Sequence, residues 1–68
     1  MEQIKKVKGY RNYLGLTQEQ LGKKLGITKQ SYNNKENGKT AFSDSEKIIL
    51  KNLLIPYFPN ISIEDIFF

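Results

Sequence analysis

Cysteine, histidine and tryptophan are all missing from the 68 residues, and methionine occurs once. Without cysteine, the chain forms neither a disulfide framework nor a cysteine-ligated metal site. Without histidine, it lacks the commonest general base, the usual partner of a nucleophilic serine and the commonest nitrogen ligand of zinc. The reactive groups that remain are carboxylates, lysines, tyrosines and hydroxyls. We therefore expect no enzyme, no metal site and no cofactor.

Long hydrophobic runs are equally scarce, because the longest apolar stretches contain three residues each: Ile48–Leu50, Leu53–Ile55 and Ile66–Phe68. None approaches the length of a membrane span, and no apolar segment follows the N-terminal lysines as a secretory signal requires. Hydrophobic residues still make up 38% of the chain, which is enough for a folded domain. We predict one small domain, residues 1–68, located in the cytoplasm and without a membrane partner.

The net charge of +4 is unevenly distributed along the chain. Residues 1–40 carry nine Lys/Arg against three Glu, whereas residues 41–68 carry two Lys against four Asp/Glu. This asymmetry predicts that residues 1–40 face a polyanion and that residues 41–68 serve mainly in packing. Ordinary solubilising lysines are the alternative interpretation of the charge alone.

Apolar residues recur with helical spacing throughout, and no segment has the alternation of a strand. Thr17 with Gln20 and Ser43 with Glu46 have the spacing of capping boxes. The sequence therefore predicts an all-α fold of five short helices: about Glu2 to Tyr13, ending at Gly15; Thr17 to Gly26; Thr28 to about Lys35, ending at Asn37-Gly38; Ser43 to about Leu54; and Ile63 to Phe67, capped by Ser62.

The second and third predicted helices are separated by a short turn that contains Gly26, and such pairs cross at a steep angle. Close approach of the two helices requires a very small residue partway along the first of them, which is Gly22. Gly26 suits a left-handed conformation in the turn, and Ile27 fills the corner beneath it. Sterics alone thus predict helix-turn-helix geometry over about residues 17–36.

The residues of this region resemble the lambda-repressor-like helix-turn-helix family, which includes phage repressor and Cro proteins and bacterial xenobiotic-response-element regulators. The resemblance covers about residues 3–55. The matching positions are Leu16-Thr17-Gln18-Glu19, Leu21, Leu25-Gly26-Ile27-Thr28, Gln30-Ser31 and Glu36-Asn37-Gly38-Lys39, together with Arg11 in the first helix. The resemblance implies five helices, DNA binding by the third helix, and action as a dimer on paired half-sites.

This sequence departs from the family pattern at two positions. Gly22 stands where alanine is usual, at a cost of about 1 kcal/mol in helix propensity. Lys35 occupies a position that is usually apolar. We expect its alkyl stem to cover the core while its ammonium reaches solvent or phosphate.

The third predicted helix has a polar face that suits the major groove. At 100° per residue, Thr28 and Tyr32 point towards the domain, and Gln30 and Asn34 form a ridge on the opposite side. Glutamine and asparagine pair with adenine N6/N7, and lysine reaches guanine O6/N7. We therefore predict base contacts from Lys29, Gln30, Asn33 and Asn34, with Ser31 a lesser candidate. An ordinary solvated polar face is the alternative.

Phosphate contacts are predicted outside this face. Gln18 lies in the first turn of the second helix, where free amides and the helix dipole favour an anion. Asn37, Gly38 and Lys39 follow the third helix and are expected to offer backbone amides and an ammonium. Structural roles are predicted for Gly22, Gly26, Ile27 and Tyr32, and for Arg11 with Glu36 as a partly buried ion pair. A phosphate contact is the alternative role for Arg11.

These residues favour a sequence-specific regulator of transcription that binds double-stranded DNA, of the phage or prophage repressor type. The alternative is a protein-binding modulator or antitoxin that uses the same fold to engage another repressor or a toxin. The terminal Phe67 and Phe68 are difficult to shelter together in so small a domain. We expect them to form a weak homodimer interface, with a regulatory partner protein as the alternative cover.

Overall fold

The computed structural model describes the backbone of residues 2–68 and the side chains of residues 6–68. Within that range the chain is helical without any strand, as predicted. The helices are α1 (Glu2–Tyr13), α2 (Gln18–Leu25), α3 (Lys29–Glu36), α4 (Asp44–Leu54) and α5 (Ile63–Phe67). None of these helices has the length and apolar character needed to cross a bilayer.

Side-chain caps define where the helices begin. The Thr17 hydroxyl accepts a hydrogen bond from the Gln20 amide, and the Gln20 side chain accepts one from the Thr17 amide, which forms the predicted capping box. Ser43 with Glu46 and Ser62 with Asp65 repeat this arrangement at α4 and α5. Each such cap stabilises its helix by about 1 kcal/mol, so the helix starts are encoded locally.

The core lies where all five helices meet. Its fully buried side chains are Leu21, Tyr32, Leu50, Leu54 and Ile66. Helix α3 is otherwise polar, and it joins this core through Tyr32, whose ring lies 6.0 Å from that of Phe42. Burying a leucine or isoleucine side chain, such as Leu21 or Ile66, stabilises the folded state by about 1.5–3 kcal/mol. The core therefore fixes α3 from behind and leaves its polar face outward.

The C-terminal phenylalanines differ from the expectation. Phe67 is only 9% exposed and its ring lies 5.3 Å from that of Phe42, whereas Phe68 is 64% exposed. The expectation that Phe67 lies uncovered in an interface between copies is therefore wrong. Because α5 packs against both α1 and α4, its single turn buries the neighbouring side chains of Ile66 and Phe67 on two sides. Of these two phenylalanines, Phe68 is the exposed one.

Candidate nucleic-acid interface

Helices α2 and α3 form a tight helix-turn-helix corner. A Cβ atom on Gly22 would lie 3.2 Å from the carbonyl oxygen of Ile27 and 3.3 Å from that of Thr28, so the turn passes directly over this glycine. Gly26 adopts the left-handed conformation with φ 78° and donates its amide to the end of α2. Ile27 is partly buried and packs against the core. The corner thus depends on small residues at two positions.

The outward face of α3 carries the amides predicted to read bases. Lys29 and Gln30 are exposed, and Asn33 and Asn34 are partly exposed. The Gln30 side-chain amide donates to Asn34 Oδ1 at 3.2 Å, so the two residues form a paired ridge. Within the described side chains, Gln30 Oε1 and the Asn34 amide group make no hydrogen bond, which leaves one acceptor and one donor group on this face.

Thr28 and Ser31 occupy the first turn of α3. Thr28 is exposed, so the expectation that it points towards the domain is wrong. Its hydroxyl instead accepts a hydrogen bond from the Ser31 amide as the N-cap of the helix. Ser31 is partly buried. The outward face of α3 is therefore formed by the Gln30–Asn34 ridge rather than by Thr28 or Ser31.

Gln18 joins α2 to α3 through both ends of its amide. Its Nε2 donates to Glu36 Oε1 at 2.9 Å, and its Oε1 accepts from Asn33 Nδ2 at 3.1 Å. Asn33 Oδ1 in turn accepts from Asn37 Nδ2 at 2.9 Å. This chain of amides holds Gln18 and Asn33 in one conformation beside the outward face, a link that the sequence alone does not reveal.

The segment after α3 offers fewer donors than expected. The backbone amides of Asn37, Gly38 and Lys39 all donate to carbonyl oxygens of α3, at 3.0, 3.2 and 2.8 Å respectively. The expectation that these amides are free for phosphate is therefore wrong, because the last turn of the helix uses them. What remains exposed are the Lys39 ammonium and the Asn37 side chain.

Behind α3, the carboxylate of Glu36 collects hydrogen bonds from three elements and is only 3% exposed. Arg11 Nε donates to it at 2.8 Å and the Tyr32 hydroxyl at 2.6 Å, in addition to the Gln18 amide. Arg11 also donates to the Leu16 carbonyl at 2.9 Å. The predicted ion pair of Arg11 with Glu36 is thus present, and the guanidinium faces inward. This arrangement fixes the end of α3 against α1 and the start of α2.

The electrostatics of this cluster follow from its burial. Burial by itself raises the pKa of Glu36, but the hydrogen bonds from Arg11, Tyr32 and Gln18 outweigh it and hold the pKa below the usual value. Burial raises the pKa of Tyr32, and the bond to Glu36 raises it further. The hydrogen bond to Glu36 also raises the pKa of Arg11. Glu36 and Arg11 therefore stay charged and Tyr32 stays neutral.

Lys35 forms a second ion pair that the sequence analysis missed. Its Nζ lies 2.5 Å from Glu46 Oε1, with 14% of the Lys35 side chain exposed. The expectation that this ammonium reaches solvent or phosphate is wrong, because the nearby carboxylate of α4 satisfies it. Burial acts to raise the pKa of Glu46, but hydrogen bonds from Lys35 and Ser43 outweigh it and lower the pKa. A lysine at an apolar position could have prompted a search for a carboxylate partner.

Comparison with known proteins supports this geometry. Residues 7–46 match the family model described as helix-turn-helix. No curated protein and no solved structure matched the chain. The matched range extends from α1 to the first turn of α4. It therefore contains both ion pairs, the whole corner and the entire outward face of α3.

Proposed function

The chain belongs to the lambda-repressor-like helix-turn-helix family of DNA-binding transcription regulators, and from this membership we propose that it is a phage- or prophage-type repressor. It acts in the bacterial cytoplasm as one domain over residues 1–68 and binds paired half-sites in double-stranded DNA as a dimer. The observation that carries the proposal is the outward Gln30–Asn34 amide ridge on a helix whose rear side is fixed by Glu36.

Base reading is assigned to the outward face of α3. Gln30 and Asn34 together offer a donor and an acceptor that match adenine N7 and N6 respectively, and Lys29 reaches guanine O6 or N7 from the first turn. Asn33 flanks the ridge with one amide hydrogen beyond the bond it makes to Gln18. Because both ends of α3 are held by side-chain hydrogen bonds, these groups meet the major groove with little ordering cost.

Phosphate contacts are assigned to the two sides of this face. The Lys39 ammonium and the Asn37 side chain lie at the end of α3, next to the exposed Gly38. Gln18 lies in the first turn of α2, where the unpaired backbone amides and the helix dipole favour an anion. Such contacts set the register on the duplex and carry no sequence information.

The dimer contact is assigned to Phe68, the exposed residue at the end of α5. A two-fold axis through this region places the same apolar side chain of two copies together. In such a dimer the two α3 helices enter successive major grooves about 34 Å apart. Because one phenylalanine is a small contact, the dimer is weak in solution and is tightened by the paired half-sites.

Selection from a random duplex library tests this function, and enrichment of a two-fold-related motif is the expected result. Gln30→Ala should then cost about 1–3 kcal/mol on the selected site, with little change on random duplexes. Asn52→Ala, on an exposed position of α4 outside the interface, is the matched control. Equal losses on selected and random duplexes would show that Gln30 does not read a base, and failure to enrich any motif would contradict sequence-specific binding.

A further inference from the structure

A second feature of the molecule is a groove between the loop that follows α3 and the C-terminal end of α5. It has a volume of about 320 Å³. Phe42 and Phe67 form an aromatic floor with ring centroids 5.3 Å apart. Ala41 and the exposed Phe68 also line the groove. The groove therefore presents an apolar pocket at the surface rather than a closed part of the core.

The rim of this groove is basic. Lys35, Lys39 and Lys47 line it, and no acidic residue does so among the described side chains. Lys35 is paired with Glu46. Lys47 Nζ instead lies 5.8 Å from the ring centroid of Phe67 and 5.6 Å from that of Phe68. Within the described side chains, no carboxylate lies within 4.0 Å of the Lys39 or Lys47 ammonium.

We propose that this groove binds an acidic segment of a regulatory protein, anchored by one aromatic or branched aliphatic side chain. The floor formed by Phe42 and Phe67 accepts the apolar anchor, and the ammonium groups of Lys39 and Lys47 face the flanking carboxylates. Aromatic anchors that enter a pocket, surrounded by a charged rim, are the usual source of binding energy in such contacts. DNA fits this groove less well, because phosphates offer nothing to an aromatic floor.

Binding at this groove has a regulatory consequence, which rests on the proposed phosphate contact of Lys39. The same ammonium cannot serve a bound acidic segment and a phosphate at once. Because the groove adjoins the end of α3, an occupant also brings negative charge towards the DNA backbone. A protein that occupies the groove therefore competes with DNA for this domain.

The probe is a fluorescein-labelled synthetic peptide, Asp-Glu-Phe-Leu-Asp-Glu, titrated into the full chain without DNA. We expect saturable binding and amide chemical-shift changes concentrated at Ala41, Phe42 and Phe68. A peptide with serine in place of phenylalanine and leucine, and one with amides in place of the carboxylates, should both bind more weakly. No saturable binding, or shift changes centred elsewhere, would overturn the proposal.

Variants of the protein locate the charge contact. Lys47→Gln should weaken the peptide about two- to fivefold, as expected for one partly exposed ion pair. Lys51→Gln, one helical turn further along α4 and outside the groove, should leave binding unchanged and is the matched control. Equal weakening by both variants would show a non-specific charge effect and reject the site.

DNA titrations separate this inference from the proposed function. Lys47→Gln should leave the affinity for a selected duplex unchanged, and the unlabelled peptide should displace that duplex. A loss of DNA affinity in Lys47→Gln as large as in Lys39→Gln would assign the groove to DNA and overturn the inference. Failure to enrich any motif from the random duplex library would instead contradict the proposed function while leaving the peptide titration as it stands.

Discussion

Replacing Glu36 by Gln tests how strongly the buried carboxylate behind α3 holds the domain together. The substitution keeps the size of the side chain and an acceptor for the Tyr32 hydroxyl. It also removes the negative charge opposite Arg11 and turns an amide group towards the donors of Arg11 and Gln18. Since Arg11 and Glu36 are both more than nine-tenths buried, water does little to solvate the guanidinium charge that the substitution leaves without a carboxylate.

The size of the effect follows from this burial. Removing one partner of a buried ion pair costs about 3–5 kcal/mol. We expect Glu36→Gln to lie near about 3 kcal/mol, because the Tyr32 bond survives and Arg11 keeps the Leu16 carbonyl. A domain of this length has a free energy of unfolding of only about 3–10 kcal/mol in total. The variant should therefore lose between about a third and all of the stability of the domain at 25 °C.

Urea unfolding followed by circular dichroism at 222 nm measures the loss. With an m-value near 1 kcal/mol/M, a loss of 3 kcal/mol lowers the midpoint by roughly 3 M. Glu19→Gln, at an exposed position in the first turn of α2, is the matched control and should cost at most about 0.5 kcal/mol. A loss below about 1 kcal/mol in Glu36→Gln would refute the assignment of a stabilising role to this cluster.

The parent protein and Glu36→Gln also test the role of the Glu36 charge, through the pH dependence of their free energies of unfolding. The folded-state pKa of Glu36 lies below its ordinary value of 4.5, so its contribution is fully present above that pH. The contribution is lost as the pH falls through the lowered folded-state pKa. Stability of the parent protein should thus decline in acid more steeply than that of Glu36→Gln, which keeps the contribution of Glu46. Parallel acid profiles would contradict this account.

Lys39→Gln should weaken specific and random duplexes alike and reduce the dependence of log K on log salt by about one unit in anisotropy titrations. An unchanged slope would place Lys39 away from phosphate. Phe68→Ser should leave the urea midpoint unchanged and uncouple the half-sites in footprinting, whereas the buried Phe67→Ser should cost about 3–5 kcal/mol. Unchanged self-association of Phe68→Ser in sedimentation would reject the dimer contact. Lys35→Met alone should cost about 1–3 kcal/mol in urea unfolding, whereas Lys35→Met with Glu46→Gln should recover most of that loss. A double variant less stable than the single one would contradict this.

The features that the sequence predicts well are those encoded by neighbouring residues. Thr17 and Ser43 predict where helices begin because each forms a capping box with the residue three positions later. Gly26 predicts the turn because few other residues tolerate the left-handed backbone conformation. The features it missed depend on contacts between distant elements. Neither the partner of Lys35 nor the burial of Phe67 is visible until α4 and α5 are packed, and the amides after α3 look free until the last helical turn forms.

The four residues predicted to read bases differ in how many of their polar groups the fold already uses. Asn33 gives one amide hydrogen to Gln18 and accepts one from Asn37, so half of its hydrogen-bonding capacity already positions α3. Among the described side chains, Gln30 and Asn34 bond to each other through one donor and one acceptor, and the Gln30 acceptor and the Asn34 amide group make no further bond. We therefore expect specificity to rest mainly on that pair, because a bidentate contact requires a donor and an acceptor that are both free to meet the base.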